Sequence, residues 1–200
     1  IKHKLKVKYY IRYADDFVIC VQYKDDAARV IEGLKTRLGK FKLELAEDKT
    51  RLIEFGRFAK QNAKAKGGRA ATFNFLGFTH FIDKTRKNGF KLGRKTDRKK
   101  LRAKLTEMNE WLKTVRNLFV IKDIWKTLRA KLRGHFQYFG VSGNYRSLAG
   151  FSAQTRRLLM KWLNRRSQKK SFNWVSFLKY IERHPLPKPA IHHDFYTGFA

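Results

Sequence analysis

Asp15 and Asp16 are the residues of this 200-residue chain whose type and placement could do chemistry most directly. They stand between two runs that alternate β-branched and aromatic residues, V-K-Y-Y-I-R-Y (7–13) and F-V-I-C-V-Q-Y (17–23). That pattern reads as a β-hairpin with two acids at its turn. Adjacent carboxylates repel one another, and a divalent cation relieves the repulsion. Mg²⁺ takes hard oxygen ligands, often one or two carboxylates plus substrate phosphates, and Mn²⁺ is an acceptable substitute. In two-metal phosphoryl transfer such carboxylates hold ions about 3.5–4 Å apart. A bare Asp-Asp pair also serves as turn residues or as a cap. Asp25-Asp26 reads that way, so spacing alone leaves both readings of Asp15-Asp16 open.

The elements that must position the pair belong to an α+β half. Asp25 or Asp26 can cap a helix with Ala27, Ala28, Val30, Ile31, Leu34 and Leu38 on one face, ending at Gly39. Short strands are expected at 42–45 and 51–55 around a turn, Glu47-Asp48-Lys49-Thr50. Residues 57–71 are rich in Lys, Ala and Gly with little periodicity, and read as a mobile basic loop. Strands are expected at 73–81 and 90–92, with an Asn88-Gly89 hairpin signal between them.

After Thr96 the period changes. Leu101, Leu105, Met108, Leu112, Val115 and Phe119 recur at three and four, which predicts an amphipathic helix. Ile124, Leu128, Leu132, Phe136 and Phe139 predict a second, ended by Gly140. A third is expected over 148–163 and a fourth, after Ser171, over 172–181. Pro185, Pro187 and Pro189 force an extended tail. The sequence thus divides into 1–96 (α+β), 97–184 (all-helical) and 185–200 (Pro-rich tail).

Charge is the strongest global signal. Lys and Arg number 47 against 16 Asp and Glu, a net charge of +31. Residues 1–96 carry 24 cations against 10 acids, and residues 97–200 carry 23 against 6. A field of that size attracts a polyanion, and nucleic acid is the usual one, although a ribosomal-type protein or plain solubility would also use it. Residues 124–181 hold 13 Lys or Arg and no Asp or Glu. A merely soluble helical face mixes both signs, so phosphate contact is the better reading. The candidates for RNA contact are Arg129, Lys131 and Arg133 on one helix, and Arg156, Arg157, Lys161, Arg165 and Arg166 on another. Tyr138, Tyr145, Trp162 and Trp174 could stack on unpaired bases, but Trp162 and Trp174 read first as core. Binding through several phosphates should depend strongly on salt.

Other classes are set aside. With 42% apolar residues the chain can build a core, and no apolar run is long enough to span a membrane. A single cysteine, Cys20, fits a reducing setting, cytoplasmic or organellar, and reads as a small core residue. His135, His192 and His193 lack the spacing and partners of a metal site. No signal peptide is visible. The sequence starts at Ile1 close to a strand and looks cut from a longer chain.

Several ordered blocks resemble one family. Y-Y-I-R-Y-A-D-D-F-V-I-C (9–20) resembles the catalytic box of reverse transcriptases, in the Ala-containing spelling of group II intron and retron enzymes. L-E-L-A-E-D-K-T-R-L-I-E-F (43–55) resembles the next block of such enzymes, and F-N-F-L-G-F (73–78) resembles the block carrying the primer grip. H-F-Q-Y-F-G-V-S-G-N-Y-R-S-L (135–148) resembles the maturase thumb, domain X, of group II intron proteins. P-L-P-K-P-A-I-H-H-D-F-Y (185–196) resembles the tail that often follows it. The stretch 57–71 is the least family-like.

The resemblance implies the end of a polymerase palm over 1–96 and a helical thumb over 97–184. Asp15 and Asp16 would be catalytic and would bind Mg²⁺. Tyr13 and Ala14 would lie near the incoming nucleotide and primer end. Lys49 would face phosphate, and Leu76 and Gly77 would approach the primer backbone. Partners would be an RNA template, a DNA primer, dNTPs and the parent intron RNA. Such polymerases carry a further metal-binding Asp on an earlier strand, which would precede Ile1, so the 200 residues alone are expected to be inactive. No His/Cys pattern of an HNH-type endonuclease follows the thumb block. The alternatives are an RNA-binding splicing module without polymerase activity, or a retron, diversity-generating or CRISPR-linked reverse transcriptase. The 135–148 block favours the intron type over the latter group.

Overall fold

The computed structural model describes residues 7, 9–167 and 172–196. Ser171 and the last four residues of the expected tail lie outside the described residues. The fold is mixed α+β, with six helices and two small antiparallel sheets among the described residues. The chain divides into two compact units, residues 1–71 and 72–200.

In the first unit, β1 (Tyr9–Tyr13) and β2 (Asp16–Cys20) form the expected hairpin, with Tyr10 opposite Ile19 and Tyr13 opposite Asp16. Side chains alternate across a strand. One hairpin face therefore carries Tyr10, Phe17 and Ile19, which pack with Val7 and with Val30 and Leu34 of α1 (Lys24–Gly39). That helix buries Ala27, Val30 and Leu34 and ends at Gly39 as expected. Its acids behave differently from expectation. Tyr23 is the N-cap residue, while Asp25 and Asp26 sit inside the first turn, where carboxylates favour the helix dipole and Asp26 pairs with Arg29.

Three expectations for this unit are corrected. The strands expected at 42–45 and 51–55 do not form: among the described residues neither stretch pairs with a strand, and Lys42 is a turn residue with φ 55°. The supposed loop at 57–71 contains a helix, α2 (Ala59–Ala65), which buries Ala59; Glu54 accepts from Asn62 and pairs with Lys66 at 3.7 Å. Alternating Lys and Ala are adequate helix formers, and the flanking Gly residues masked that propensity. Cys20 ends β2 on the exposed face rather than in the core.

In the second unit, β3 (Phe73–Phe75), β4 (Phe78–Lys84) and β5 (Phe90–Thr96) form a meander. The single strand expected over 73–81 is two strands, because Leu76-Gly77 folds as a tight turn with Phe75 paired to Phe78. The Asn-Gly signal gives a five-residue loop, 85–89, in which Asn88 takes the positive φ of 59°. β5 runs to Thr96, longer than expected. Gly93 faces the ring of Phe81 across the strands so closely that a Cβ there would lie 2.5 Å from ring carbons.

Asp97 caps α3 (Arg98–Val115) by accepting from the Lys100 N–H at 2.9 Å. α4 (Ile121–Phe139) buries all of Ile124, Leu128, Leu132, Phe136 and Phe139. α5 (Tyr145–Leu163) begins three residues earlier than expected, and α6 (Trp174–Arg183) packs Phe177 into the same core. Phe119 is corrected: it lies past the end of α3 and is exposed. The change of period at 96 marks where strand gives way to helix, whereas the compact units divide at 71/72, so the meander belongs with the helices.

The tail does not run free. Leu186 is buried, the Pro185 carbonyl accepts from Arg129 Nε at 3.0 Å, and the amides of His192 and His193 donate to the Gly140 carbonyl. Farther on, Asp194 accepts from the Ser142 hydroxyl at 2.6 Å and Tyr196 donates to the Leu92 carbonyl at 2.7 Å.

Candidate active site and nucleic-acid interface

The acidic pair sits at the tip of the first hairpin. Ala14 and Asp15 are the two loop residues, and Asp16 opens β2. Ala14 has a φ of 50°, a region that side chains usually avoid, so the tip is held in a costly conformation. Arg12 Nε donates to the Ala14 carbonyl at 2.7 Å and ties the turn down. Tyr13 and Asp16 face each other on the side of the hairpin opposite α1; Tyr13 is 64% exposed, and both Asp side chains are exposed.

Among the described residues neither Asp15 nor Asp16 forms a salt bridge. The nearest cation in sequence, Arg12, is committed to a carbonyl. Two exposed hard-oxygen groups therefore stand at the hairpin tip, and this suits a divalent cation. The described residues contain no group of three His, Cys, Asp or Glu side chains that could hold a metal ion, so the pair is at most part of a ligand set. Lys49 lies on the expected turn, closed by Thr50, whose amide and hydroxyl both donate to the Ala46 carbonyl at 2.9 and 2.8 Å. Its side chain is exposed and makes no ion pair with either Asp.

Leu76 and Gly77 form the loop of the β3–β4 hairpin with φ values of 50° and 75°. Positive φ at both central residues is the type I′ signature, which suits the twist of a hairpin. Both carbonyls are engaged: Leu76 accepts from the Tyr138 hydroxyl at 3.1 Å, and Gly77 accepts from the Asp97 N–H at 2.9 Å.

The cations of α4 and α5 fall into several environments. Arg133 and Arg157 are exposed. Lys131 lies 5.2 Å from the Trp111 ring centroid, and Lys161 and Arg165 lie 5.0 and 5.2 Å from that of Trp162. Arg129 donates to Pro185, and Arg166 donates to the Phe119 carbonyl at 2.9 Å. Arg156 is half-buried, with its Nε shielded and unpartnered. Trp162 is core, 6% exposed, and its Nε1 donates to Asn109 at 3.0 Å. Trp174 is not: it is 44% exposed on α6. His135 is packed, stacked on Phe151 at 3.7 Å, and burial with the nearby Lys104 charge lowers its pKa to about 4.

Sequence reasoning missed two residues that organise this region. Asn144 is 1% exposed. It accepts from the Thr96 N–H and donates to the Thr96 hydroxyl and the Phe139 carbonyl, each at 2.8 Å. It thereby joins the ends of β5 and α4 to the start of α5. Arg116 approaches Trp162 at 4.8 Å from α3. An Asn between Gly143 and an amphipathic helix was a visible N-cap signal; its long-range partners were not visible.

Residues 1–80 match the family model described as reverse transcriptase (RNA-dependent DNA polymerase). The match spans 80 of the 200 residues and covers the acidic hairpin, the Lys49 turn and the Leu76-Gly77 turn; over that stretch the chain is similar to RNA-directed DNA polymerases. Such enzymes use an RNA template, a primer and dNTPs, and generally Mg²⁺. No curated protein matches the chain. Among the described residues no helix is long and apolar enough to cross a membrane.

Proposed function

We propose that the chain contains the end of the palm and the thumb of a group II intron-type reverse transcriptase that also acts as a maturase. The observation that carries the proposal is the hairpin tip: two exposed carboxylates without a salt bridge, on a strained and anchored turn, in a chain of net charge +31. The match over residues 1–80 supports the polymerase, and the 135–148 block supports the intron type.

In this reading Asp15 is the more direct Mg²⁺ ligand and Asp16 its partner, with a further carboxylate supplied from outside these residues. The metal would supply Lewis acidity to the 3′-hydroxyl and phosphate oxygens. Tyr13, beside Asp16 on the open face, packs near nucleotide and primer end. Lys49 offers a mobile charge to phosphate. The cations of α4 and α5 hold RNA along its backbone, which serves both template binding and recognition of intron RNA.

The test is primer extension on an RNA template by the full-length protein carrying Asp15→Asn. Removing one carboxylate charge from a metal site should lower kcat by two orders of magnitude or more, on the order of 3 kcal/mol. Extension near the wild-type rate would remove Asp15 from the mechanism.

A further inference from the structure

We infer that Tyr138 is a positioning residue for the primer strand, acting through the Leu76-Gly77 turn. The inference rests on the reading above, in which that turn approaches the primer backbone.

The turn does not hold its own shape cheaply. Leu76 adopts a φ of 50°, a conformation that costs a non-glycine residue roughly 1–2 kcal/mol. Something outside the turn must over-determine it, and α4 does. The Tyr138 hydroxyl donates to the Leu76 carbonyl at 3.1 Å. The same ring stacks on Phe78, the first residue after the turn, with centroids 6.1 Å apart and planes within 14°. Phe139 closes the other side: a Cβ on Gly77 would lie 3.5 Å from its ring, and Phe139 also contacts Phe78 at 5.3 Å.

The consequence is an orientation. Tyr138 draws the Leu76 carbonyl toward α4, and the Asp97 N–H draws the Gly77 carbonyl toward the start of α3. Among the described residues the N–H groups of Leu76 and Gly77 make no hydrogen bond, so the turn is left with donors to offer. Two backbone N–H groups side by side suit a phosphate oxygen. Tyr138 is 55% exposed, so its hydroxyl is retained at a wet site where it would otherwise bond water. This assigns Tyr138 a role other than base stacking. It also makes α4, a helix of the basic region, the element that sets the primer contact.

The experiment uses the full-length protein and the pair Tyr138→Phe and Tyr138→Leu. Tyr138→Phe keeps the ring stack and removes one neutral hydrogen bond, worth about fivefold in an equilibrium constant. Primer-template KM and dissociation rate should rise about fivefold, with kcat for single-nucleotide addition within twofold. Tyr138→Leu, which also removes the ring, should raise both further. Hydrogen exchange at the amides of residues 76–78 should quicken in both variants. Unchanged KM and dissociation rate in Tyr138→Phe would overturn the inference while wild-type extension leaves the polymerase reading intact. Equal losses of kcat and KM effect, with the whole second unit exchanging faster, would also overturn it by marking a merely structural role. Absence of extension by the wild type would instead sink the polymerase reading.

Discussion

Asn144→Ala should destabilise the second unit by about 3 kcal/mol. The substitution removes three hydrogen bonds, to the Thr96 N–H, the Thr96 hydroxyl and the Phe139 carbonyl. A net contribution of about 1 kcal/mol each gives about 3. Stranding the Thr96 N–H, on a residue 5% exposed, adds on the order of 1 kcal/mol or more. A water entering the vacated space would return part of that. All four tryptophans, residues 111, 125, 162 and 174, lie in this unit, so their fluorescence follows its unfolding alone. In urea the midpoint should fall with an unchanged slope, since the area exposed on unfolding is the same. Thr96→Val deletes only the hydroxyl partner and should cost about 1 kcal/mol. In the double variant the two losses should not add, because the Thr96 hydroxyl bond can be lost only once. A loss below 1 kcal/mol for Asn144→Ala, or strict additivity with Thr96→Val, would refute the idea that Asn144 ties strand to helix.

His135 makes stability depend on pH. Its folded pKa, about 4, is below the unfolded value of about 6.5, so the unfolded state binds more protons between them. Stability should be full above pH 6.5 and fall as pH drops toward 4; the shift converts to about 3 kcal/mol, and partial solvent screening reduces this to roughly 1.5–2 kcal/mol. Urea midpoints measured from pH 7 to 4 should show that fall, and His135→Leu should flatten it. Gly140→Ala would set a Cβ 2.3 Å from the Phe136 carbonyl oxygen and 2.7 Å from that of Ala190, both backbone. It should destabilise by at least about 2 kcal/mol and release residues 185–196, read as faster proteolysis of the tail than of the core.

The long helices of the second unit were legible because their apolar residues recur at three and four, whereas short α2 has no such series. Every member of the Ile124–Phe139 series is buried, since one helix face meets one core. The acidic tip was legible because a three-residue break, 14–16, between alternating runs leaves the chain few ways to turn. What could not be read was long-range. Residues 42–45 and 51–55 have strand-like composition, but a strand exists only when a partner pairs with it, and among the described residues none does. Leu76-Gly77 was hidden because Leu is a poor residue for positive φ, and the turn is held by distant partners, among them Tyr138, 62 residues away, and the Asp97 N–H. Prolines marked an extended tail, yet they said nothing of where it would dock.

The cations repeat this lesson at the level of function. Counting charges treats the 13 Lys and Arg of residues 124–181 as equivalent, but the structure holds them differently. Arg133 and Arg157 stand in solvent and are free to follow a moving phosphate. Lys161 and Arg165 lean on Trp162, while Arg166 is fixed to a carbonyl. An aromatic ring or a carbonyl does not neutralise a cation; it lowers the rotamer entropy lost when a phosphate arrives. The α5 end is therefore suited to a fixed backbone path, with Arg116 joining it from α3 at 4.8 Å from the same ring. The exposed pair on α4 and mid-α5 suits a backbone whose position varies. On the proposed reading of these helices as a polymerase thumb both are needed, since a thumb must keep hold of a duplex while letting it advance by one nucleotide at each addition.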